Sequence, residues 1–315
     1  MTLPPFLVAA LDAHPDGPSA RHAARALSTR YREGETSAAI DLSAYLTARL
    51  PATYAAVGRA LDEALATLPD FAPAALLDAG CGPGTASFAA VARFTSLSTI
   101  TQFDNDPRFL DLARELAAAS DSQALKNARQ VRADLRQLPD TSADLTIAAY
   151  TLAELPETEA AAIAAALWAR TTGLLLIVEP GTPRGFARIR GARHRLIAEG
   201  AAIAAPCGHE ASCPIAGSDW CHFTQRLARR RAHMHAKGAT VPFEDEPYAY
   251  LAASCMTPRA TGHRILTPPR VEKPAISFDL CTPEGRCRHS IASRDRAHYK
   301  RAKKAVWGGT WSSGA

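Results

Sequence analysis

The chain has 315 residues, 47 % hydrophobic and 21 % charged, a composition that fills a globular core and excludes a disordered or collagen-like polymer. Its apolar runs, such as residues 174–178, are far too short for a helical membrane span. The net charge of +5 hides a division: residues 1–180 carry 14 Lys+Arg and 21 Asp+Glu, whereas residues 181–315 carry 22 and 10, with eight of the ten histidines. Such asymmetry points to an anionic partner for the second part, nucleic acid foremost.

Residues 1–10 are apolar and lack both a basic n-region and the Arg-rich start of a presequence, so a cytoplasmic protein is expected. Alanine and leucine recur at helical spacing over 19–29 and 37–50, and Pro51 opens a further helix to about residue 68. Residues 1–70 therefore read as a helical segment. From 71 to 183 short apolar strands alternate with helices. Strands are expected at 75–78, 98–103, 130–133, 144–149 and 173–178, and helices at 85–94, 107–119 and 157–169. This alternation predicts an α/β Rossmann-like fold, a mostly parallel sheet with helices on both faces. Residues 184–315 form a basic region. It opens with a helix over 186–198, continues through a cysteine-bearing loop, and reads as a loop with aromatics and a short helix over 240–255. Strands follow at 264–266, 275–280 and 288–291, then a basic helix at 294–304.

The strand at 75–78 runs into Asp78-Ala79-Gly80-Cys81-Gly82-Pro83-Gly84. Glycines let a backbone turn tightly and approach a ligand, and the following helix offers free N–H groups. Asp104 closes the next strand, where a carboxylate accepts both ribose hydroxyls, and Asp134 tips the third. The spacing is not G-x-G-x-x-G, which argues against a dinucleotide. The arrangement resembles the class I S-adenosylmethionine-dependent methyltransferases. The resemblance implies cofactor contacts from Asp78, Gly80, Gly82, Gly84, Asp104, Asp134 and Leu135. No Asn/Asp-Pro-Pro-aromatic motif follows the fourth strand, and no Pro-Cys pair stands at a strand end, so no catalytic residue is assigned. Tyr150 and Glu154 are read as packing and capping groups.

Six of the seven cysteines lie after residue 200. In a reducing compartment such clustering suits a metal rather than disulfides. Cys207, Cys213 and Cys221 fall within 15 residues, and thiolates favour zinc or iron–sulfur groups with four ligands. C-x2-C spacing is absent, so zinc is the alternative rather than the default. On spacing alone the fourth ligand is open among Cys281, Cys287, Cys255, His209 and His222.

Further motifs narrow the reading. They are Val178-Glu179-Pro180-Gly181-Thr182-Pro183, Arg193-x-Arg195-Leu196-Ile197, Asp219-Trp220-Cys221-His222-Phe223, Asp279-Leu280-Cys281-Thr282-Pro283-Glu284-Gly285 and Trp307-Gly308. They resemble the methyltransferase-like assembly factors of the mitochondrial small ribosomal subunit and their bacterial relatives, over most of residues 40–311. That resemblance implies a [4Fe-4S] cluster on Cys207, Cys213, Cys221 and Cys281, with Cys287 a possible substitute for Cys281. It also implies small-subunit rRNA as partner, no membrane, and a monomer. Arg184, Arg188, Arg190, Arg193 and Arg195 are expected on one RNA-facing surface and Arg226 and residues 229–231 on another, with residues 294–304 extending either. Trp220, Phe223 and Tyr248 are available for base stacking. The competing functions are an active rRNA methyltransferase and a small-molecule methyltransferase with structural zinc.

Overall fold

The computed structural model describes residues 2–13, 41–228 and 243–312. The expected helix at 19–29, the start of that at 37–50 and the arginines at 229–231 lie outside the described residues. The first helices are α1 (Pro5–Ala13), α2 (Leu42–Ala48) and α3 (Leu50–Leu65). Asp41 caps α2 by accepting from Ala44 N, and Pro51 enters α3 in its first turn, where its missing N–H costs nothing.

The alternating region folds as β1 (Ala75–Ala79), α4 (Thr85–Val91), β2 (Thr99–Asp104), α5 (Pro107–Ala118), α6 (Gln123–Lys126), β3 (Arg129–Arg132) and β4 (Ala143–Ala149). A 3-10 turn (Leu152–Glu154) leads to α7 (Glu157–Trp168), β5 (Thr171–Pro180) and α8 (Pro183–Ala198). Next come β6 (Ala202–Ala205), β7 (Phe223–Ala228) and β8 (Phe243–Ser254). The sheet order is β3-β2-β1-β4-β5-β8-β6, with β7 also paired to β8. The first five strands are parallel; β8 is antiparallel to β5 and to both β6 and β7. This is the Rossmann-like α/β methyltransferase fold. A parallel sheet whose last inserted strand runs backwards keeps one row of parallel strand ends on a single edge, where loops collect.

Strand β8 corrects the expected loop and short helix over 240–255. Its Tyr-Ala-Tyr-Leu-Ala-Ala run reads as helical by propensity, but it lies between β5 and β6 and is buried on both faces from Tyr248 to Ser254. Tertiary position overrides local preference there. One face of the large sheet packs on α3, α4 and α5 through Leu61, Phe88 and Leu112. The other packs on α7 and α8 through Ile163, Leu167, Ile189 and Leu196.

A second, five-stranded sheet follows, built from β9 (His263–Ile265), β10 (Arg270–Val271), β11 (Ala275–Thr282), β12 (Gly285–Ala292) and β13 (Thr310–Trp311), with α9 (Arg296–Ala302) packed on it. Its own core is small: Ile265, Ile276, Phe278, Leu280, Ile291, Ala302 and Trp311. A core of that size stabilises little on its own, so ties to the large sheet matter. Buried Arg264 supplies two, to Pro206 after β6 and to Glu63 on α3, beside one to its own sheet's Gly308. Its Nε donates to Pro206 O at 2.6 Å, and its Nη1 donates to Gly308 O at 2.6 Å and pairs with Glu63 on α3. No helix among the described residues is long and apolar enough to cross a membrane.

Candidate functional site

Two sites stand at different places in this fold. The first lies at the carboxyl ends of β1, β2 and β4. Gly80, Gly82 and Gly84 all take positive φ, +62°, +51° and +80°, which side chains of ordinary residues rarely adopt. A Cβ on Gly80 would stand 2.2 Å from Thr151 Cγ2, so the backbone there has no room for one. Asp104 braces the turn: Oδ2 accepts from Gly82 N at 2.8 Å and Oδ1 from Asp106 N at 2.9 Å. A pocket opens beside it, lined by Gly80, Asp104, Asn105, Asp134, Leu135, Arg136, Thr151 and Glu154, with Phe103 and Leu155 beneath.

Gly80, Asp104, Asp134 and Leu135 thus meet in one pocket. Gly82, Gly84 and Asp78 do not line it. Asp78 is buried behind the turn, where Oδ2 accepts from Ser87 N at 2.9 Å and Ser87 Oγ at 2.6 Å, fixing the start of α4. Burial pushes its carboxyl up to about 7 despite those bonds. Its place is that of a brace rather than a ligand contact. Gly84 is needed for close packing, since a Cβ would come within 2.7 Å of Gln102 Nε2.

Glu154, read from sequence as a packing and capping group, is a pocket wall. Burial first, and the negative charge of Asp104 second, push its carboxyl up to about 7, although solvent reaches it at the pocket mouth. Burial raises Asp104 as well. Behind this wall stands Glu179 at the end of β5. Its Oε1 accepts from Leu152 N at 2.9 Å, and burial lifts it to about 8 against the pull of Arg188. Arg188 Nη2 donates to Leu155 O at 2.9 Å. The Val-Glu-Pro motif therefore shapes the turn that carries Glu154.

At the end of β4, Tyr150 takes φ +62° and is buried. Its hydroxyl lies 3.3 Å from Glu246 Oε1, which also accepts from Arg49 Nη1 at 3.0 Å, and the Arg49 guanidinium sits 4.7 Å from the centre of the Tyr150 ring. A non-glycine residue in this backbone region stores strain of about 1–3 kcal/mol, held here by its buried partners.

The second site is a cavity lined by Cys207, Cys213, Cys221 and Cys281 together with Phe186, Ile189, Arg190, Arg193, Pro206, Ile215, Phe223, Tyr250 and Leu251. Three thiols come from the loop between β6 and β7 and the fourth from β11. The family motifs explain how the loop is held. Trp220 Nε1 donates to Gly181 O at 2.9 Å, and His222 sits between Trp220 and Trp307 with ring centres 5.2 and 5.0 Å away. Arg286 pairs with Asp219 of the loop and with Asp279 of β11 at 2.7 Å. Burial, then neighbouring thiols, raise the thiols of Cys221 and Cys281, the latter to about 12; Cys207 is raised mainly by burial.

The other candidate ligands fall away or stand aside. Cys281 is opposite Arg286 and Leu280 is opposite Cys287, so Cys287 occupies the other face of the hairpin from Cys281 and is exposed. It reaches the cavity only by a register slip. Cys255 is exposed, Cys81 is buried in the glycine turn, and His222 is engaged by its two tryptophans. His209 remains near, Nε2 lying 3.3 Å from Cys281 Sγ. Among the described residues no three His, Cys, Asp or Glu side chains converge as they would on a single ion.

The expected arginine face on α8 is corrected at two of its five positions. Arg188 and Arg193 are 8 % and 6 % exposed and hold backbone carbonyls inside the protein, while Arg195 pairs with Glu199. Arg226 pairs with Asp245 and stacks over Phe243 at 4.2 Å. Phe223 and Tyr248 are core residues and Trp220 is occupied, so none of the three is free for a base. Arg184 and Arg190 of α8 stay exposed, Arg190 Nη1 donating to Ile215 O at 3.3 Å, and α9 with the turn that ends it adds Arg296, Lys300, Lys303 and Lys304 at i, i+4, i+7 and i+8. All four are exposed, while Tyr299 and Ala302 face the small core.

Fold and glycine turn together define a methyltransferase-like chain. The family described as mitochondrial small ribosomal subunit Rsm22 matches residues 39–312, and the chain belongs to that family. The human mitochondrial ribosome assembly protein METTL17 is 28 % identical over 305 residues, covering 91 % of this chain and 66 % of that protein. The mitochondrial Rsm22-cox11 tandem protein 2 of Schizosaccharomyces pombe is 25 % identical, covering 90 % of this chain and 45 % of the relative. The chain thus spans less than two thirds of the length of these relatives. Among solved structures, magnesium protoporphyrin IX methyltransferase from Synechocystis PCC 6803 with bound S-adenosylmethionine overlaps 72 % of this chain and 90 % of its own at TM-score 0.43 and 17 % identity. The plantazolicin methyltransferase overlaps 75 % and 95 % at TM-score 0.39 and 11 % identity.

Proposed function

We propose that this chain is a methyltransferase-like assembly factor of the small ribosomal subunit that binds rRNA, holds S-adenosylmethionine at the glycine turn, and carries a [4Fe-4S] cluster on Cys207, Cys213, Cys221 and Cys281. The observation that carries the proposal is the cavity that gathers these four thiols from distant parts of the chain. The donor set fits an iron–sulfur group: four cysteines, two arginines and no carboxylate line the cavity. Zinc is the alternative. It would hold the four sulfurs at about 2.3 Å, and metal with sulfide analysis separates the two. Bound there, the group would supply a link between the β6–β7 loop and β11, stapling the small sheet to the large one.

The nucleotide pocket suits a cationic ligand with vicinal hydroxyls, since Asp104, Asp134 and Glu154 line it against one arginine, itself paired with Glu159. The fold then serves mainly as a platform. Tyr150, Arg49 and Glu246 at the end of β4 are buried against one another, so none of them is free to act on a methyl acceptor. The second reading, an active rRNA methyltransferase, draws on the intact glycine turn and pocket. Protein purified without oxygen tests the proposal: about four irons and four sulfides per chain are expected, with co-sedimentation on small-subunit precursors and no methyl incorporation from labelled cofactor into their rRNA. One zinc without sulfide would overturn the cluster; stoichiometric methyl incorporation would favour the second reading.

A further inference from the structure

Arg193 stands out among the buried cations. It projects from α8 into the wall of the four-cysteine cavity and is 6 % exposed. Its Nη2 donates to His209 O at 2.7 Å and Ala211 O at 2.9 Å, the backbone between Cys207 and Cys213. Arg193 and the Cys207 thiol line the same cavity. The Arg193 Nε, by contrast, has no hydrogen-bond partner among the described residues. A buried N–H donor without a partner forfeits its hydration, so native proteins rarely leave one idle. Of the other guanidiniums nearby, Arg190 is exposed and donates to Ile215 O at 3.3 Å, and buried Arg264 is already engaged by Pro206 O, Gly308 O and Glu63. No carboxylate lines the cavity to neutralise Arg193.

From this we infer that Arg193 is a positioning residue for the cysteine-held group, offering it a charge-assisted N–H···S contact and offsetting the negative charge that four thiolates bring into an apolar cavity. The inference rests on the cluster reading given above. Four thiolates around an iron–sulfur core leave net negative charge, and burying such charge without a counter-ion is expensive. Hydrogen bonds to sulfur and local net charge are also the levers that set cluster potentials. Arginine suits both roles, because its planar fork can hold the loop carbonyls with one nitrogen and present another to sulfur. Helix α8 therefore fixes the cavity with Arg193 and the nucleotide-pocket wall with Arg188, five residues earlier.

The test is a reductive titration with dithionite and mediators, followed by absorbance, on anaerobically purified full-length protein of known iron and sulfide content. Arg193→Met should lower the midpoint so that the reduced-to-oxidised ratio at a fixed potential falls about tenfold, 59 mV for one electron. Arg193→Lys, which restores charge without the fork, should fall between, about threefold below wild type. Arg195→Met, on the same helix but exposed and paired with Glu199, should keep the wild-type midpoint. Arg193→Met with full iron and an unchanged midpoint overturns the inference, as does an equal shift in Arg195→Met. Should Arg193→Met fail to assemble, Arg193→Lys decides: a wild-type midpoint there overturns it. Wild-type protein without acid-labile sulfide would instead overturn the cluster reading, and this inference with it.

Discussion

The nucleotide pocket and the four-cysteine cavity are built on opposite plans. The pocket comes from strand ends and the turns that leave them, so its backbone conformation is set locally by Gly80, Gly82 and Gly84. The cavity joins a loop between β6 and β7 to a distant residue on β11, and its shape depends on long-range ties through Arg193, Trp220, Arg264 and Arg286. A local site survives loss of its ligand because the sheet holds it. A site closed across a long loop, beside a small core, depends on its ligand for the closure itself.

The largest effect should come from breaking the long-range site. Cys281→Ser should abolish iron and sulfide incorporation and sharply reduce soluble yield, read by metal analysis and fractionation. Cys287→Ser should leave both at wild-type levels, because Cys287 lies on the other face of the β11–β12 hairpin. Iron loss in Cys287→Ser at the level of Cys281→Ser would contradict the face assignment. The next effect concerns the local site. Gly80→Val places a side chain where φ is +62° and Thr151 leaves 2.2 Å, so S-adenosylmethionine affinity should drop at least about a hundredfold by calorimetry, with roughly 1–3 kcal/mol of stability lost. Iron content should not change, and a parallel loss of iron would mean that the two sites are not independent.

The same contrast explains how much is legible in the residues alone. Alternation of apolar runs and helices, with glycines and Asp104 at strand ends, carries the parallel half of the sheet and the pocket, because these features are local in the chain. Strand β8 is hidden because its alanine-rich run matches helical preference and only pairing with β5, β6 and β7 makes it a strand. Glu179 is hidden because burial, which sequence does not display, gives it its character, and Glu154 because only the fold sets it at the pocket mouth beside Asp104. Spacing leaves the fourth cysteine open; hairpin register puts Cys281 on the cavity and Cys287 away from it. The arginines of α8 mislead in the other direction. Their number suggests a surface for RNA, whereas Arg188 and Arg193 commit their charge to internal carbonyls.

Helix α9 also turns its cations to solvent, and its contribution should be smaller than that of either site. Replacing Arg296, Lys300 and Lys304 together by Gln removes three exposed cations and leaves the packing residues Tyr299 and Ala302 in place. If they bind phosphates of single-stranded rRNA, the slope of log affinity against log salt should fall by about 2, near 0.7 for each phosphate no longer neutralised. Iron content and cofactor affinity should stay at wild type. A salt slope equal to that of wild type would move the RNA surface away from this helix.

The smallest expected effect is a pH dependence confined to the local site. Glu154 titrates near 7 in the folded chain because burial and Asp104 disfavour its anion. A carboxyl raised above its unfolded value near 4.3 stabilises the ligand-free fold fully below that pH, and the contribution is lost as pH rises through about 7. A cationic ligand inverts the preference, since it pairs with the ionised form. Affinity for S-adenosylmethionine should therefore rise between pH 6 and pH 8, by about threefold to tenfold for one partly solvated carboxylate. Glu154→Gln should flatten that rise and hold affinity near the pH 6 value of the wild type. Asp78 is braced behind the turn by Ser87 and does not line the pocket, so a slope that persists in Glu154→Gln would assign the titration to Asp104, the neighbouring carboxylate that burial also raises. The four-cysteine cavity, lined by no carboxylate, should show no matching change in iron retention over the same range.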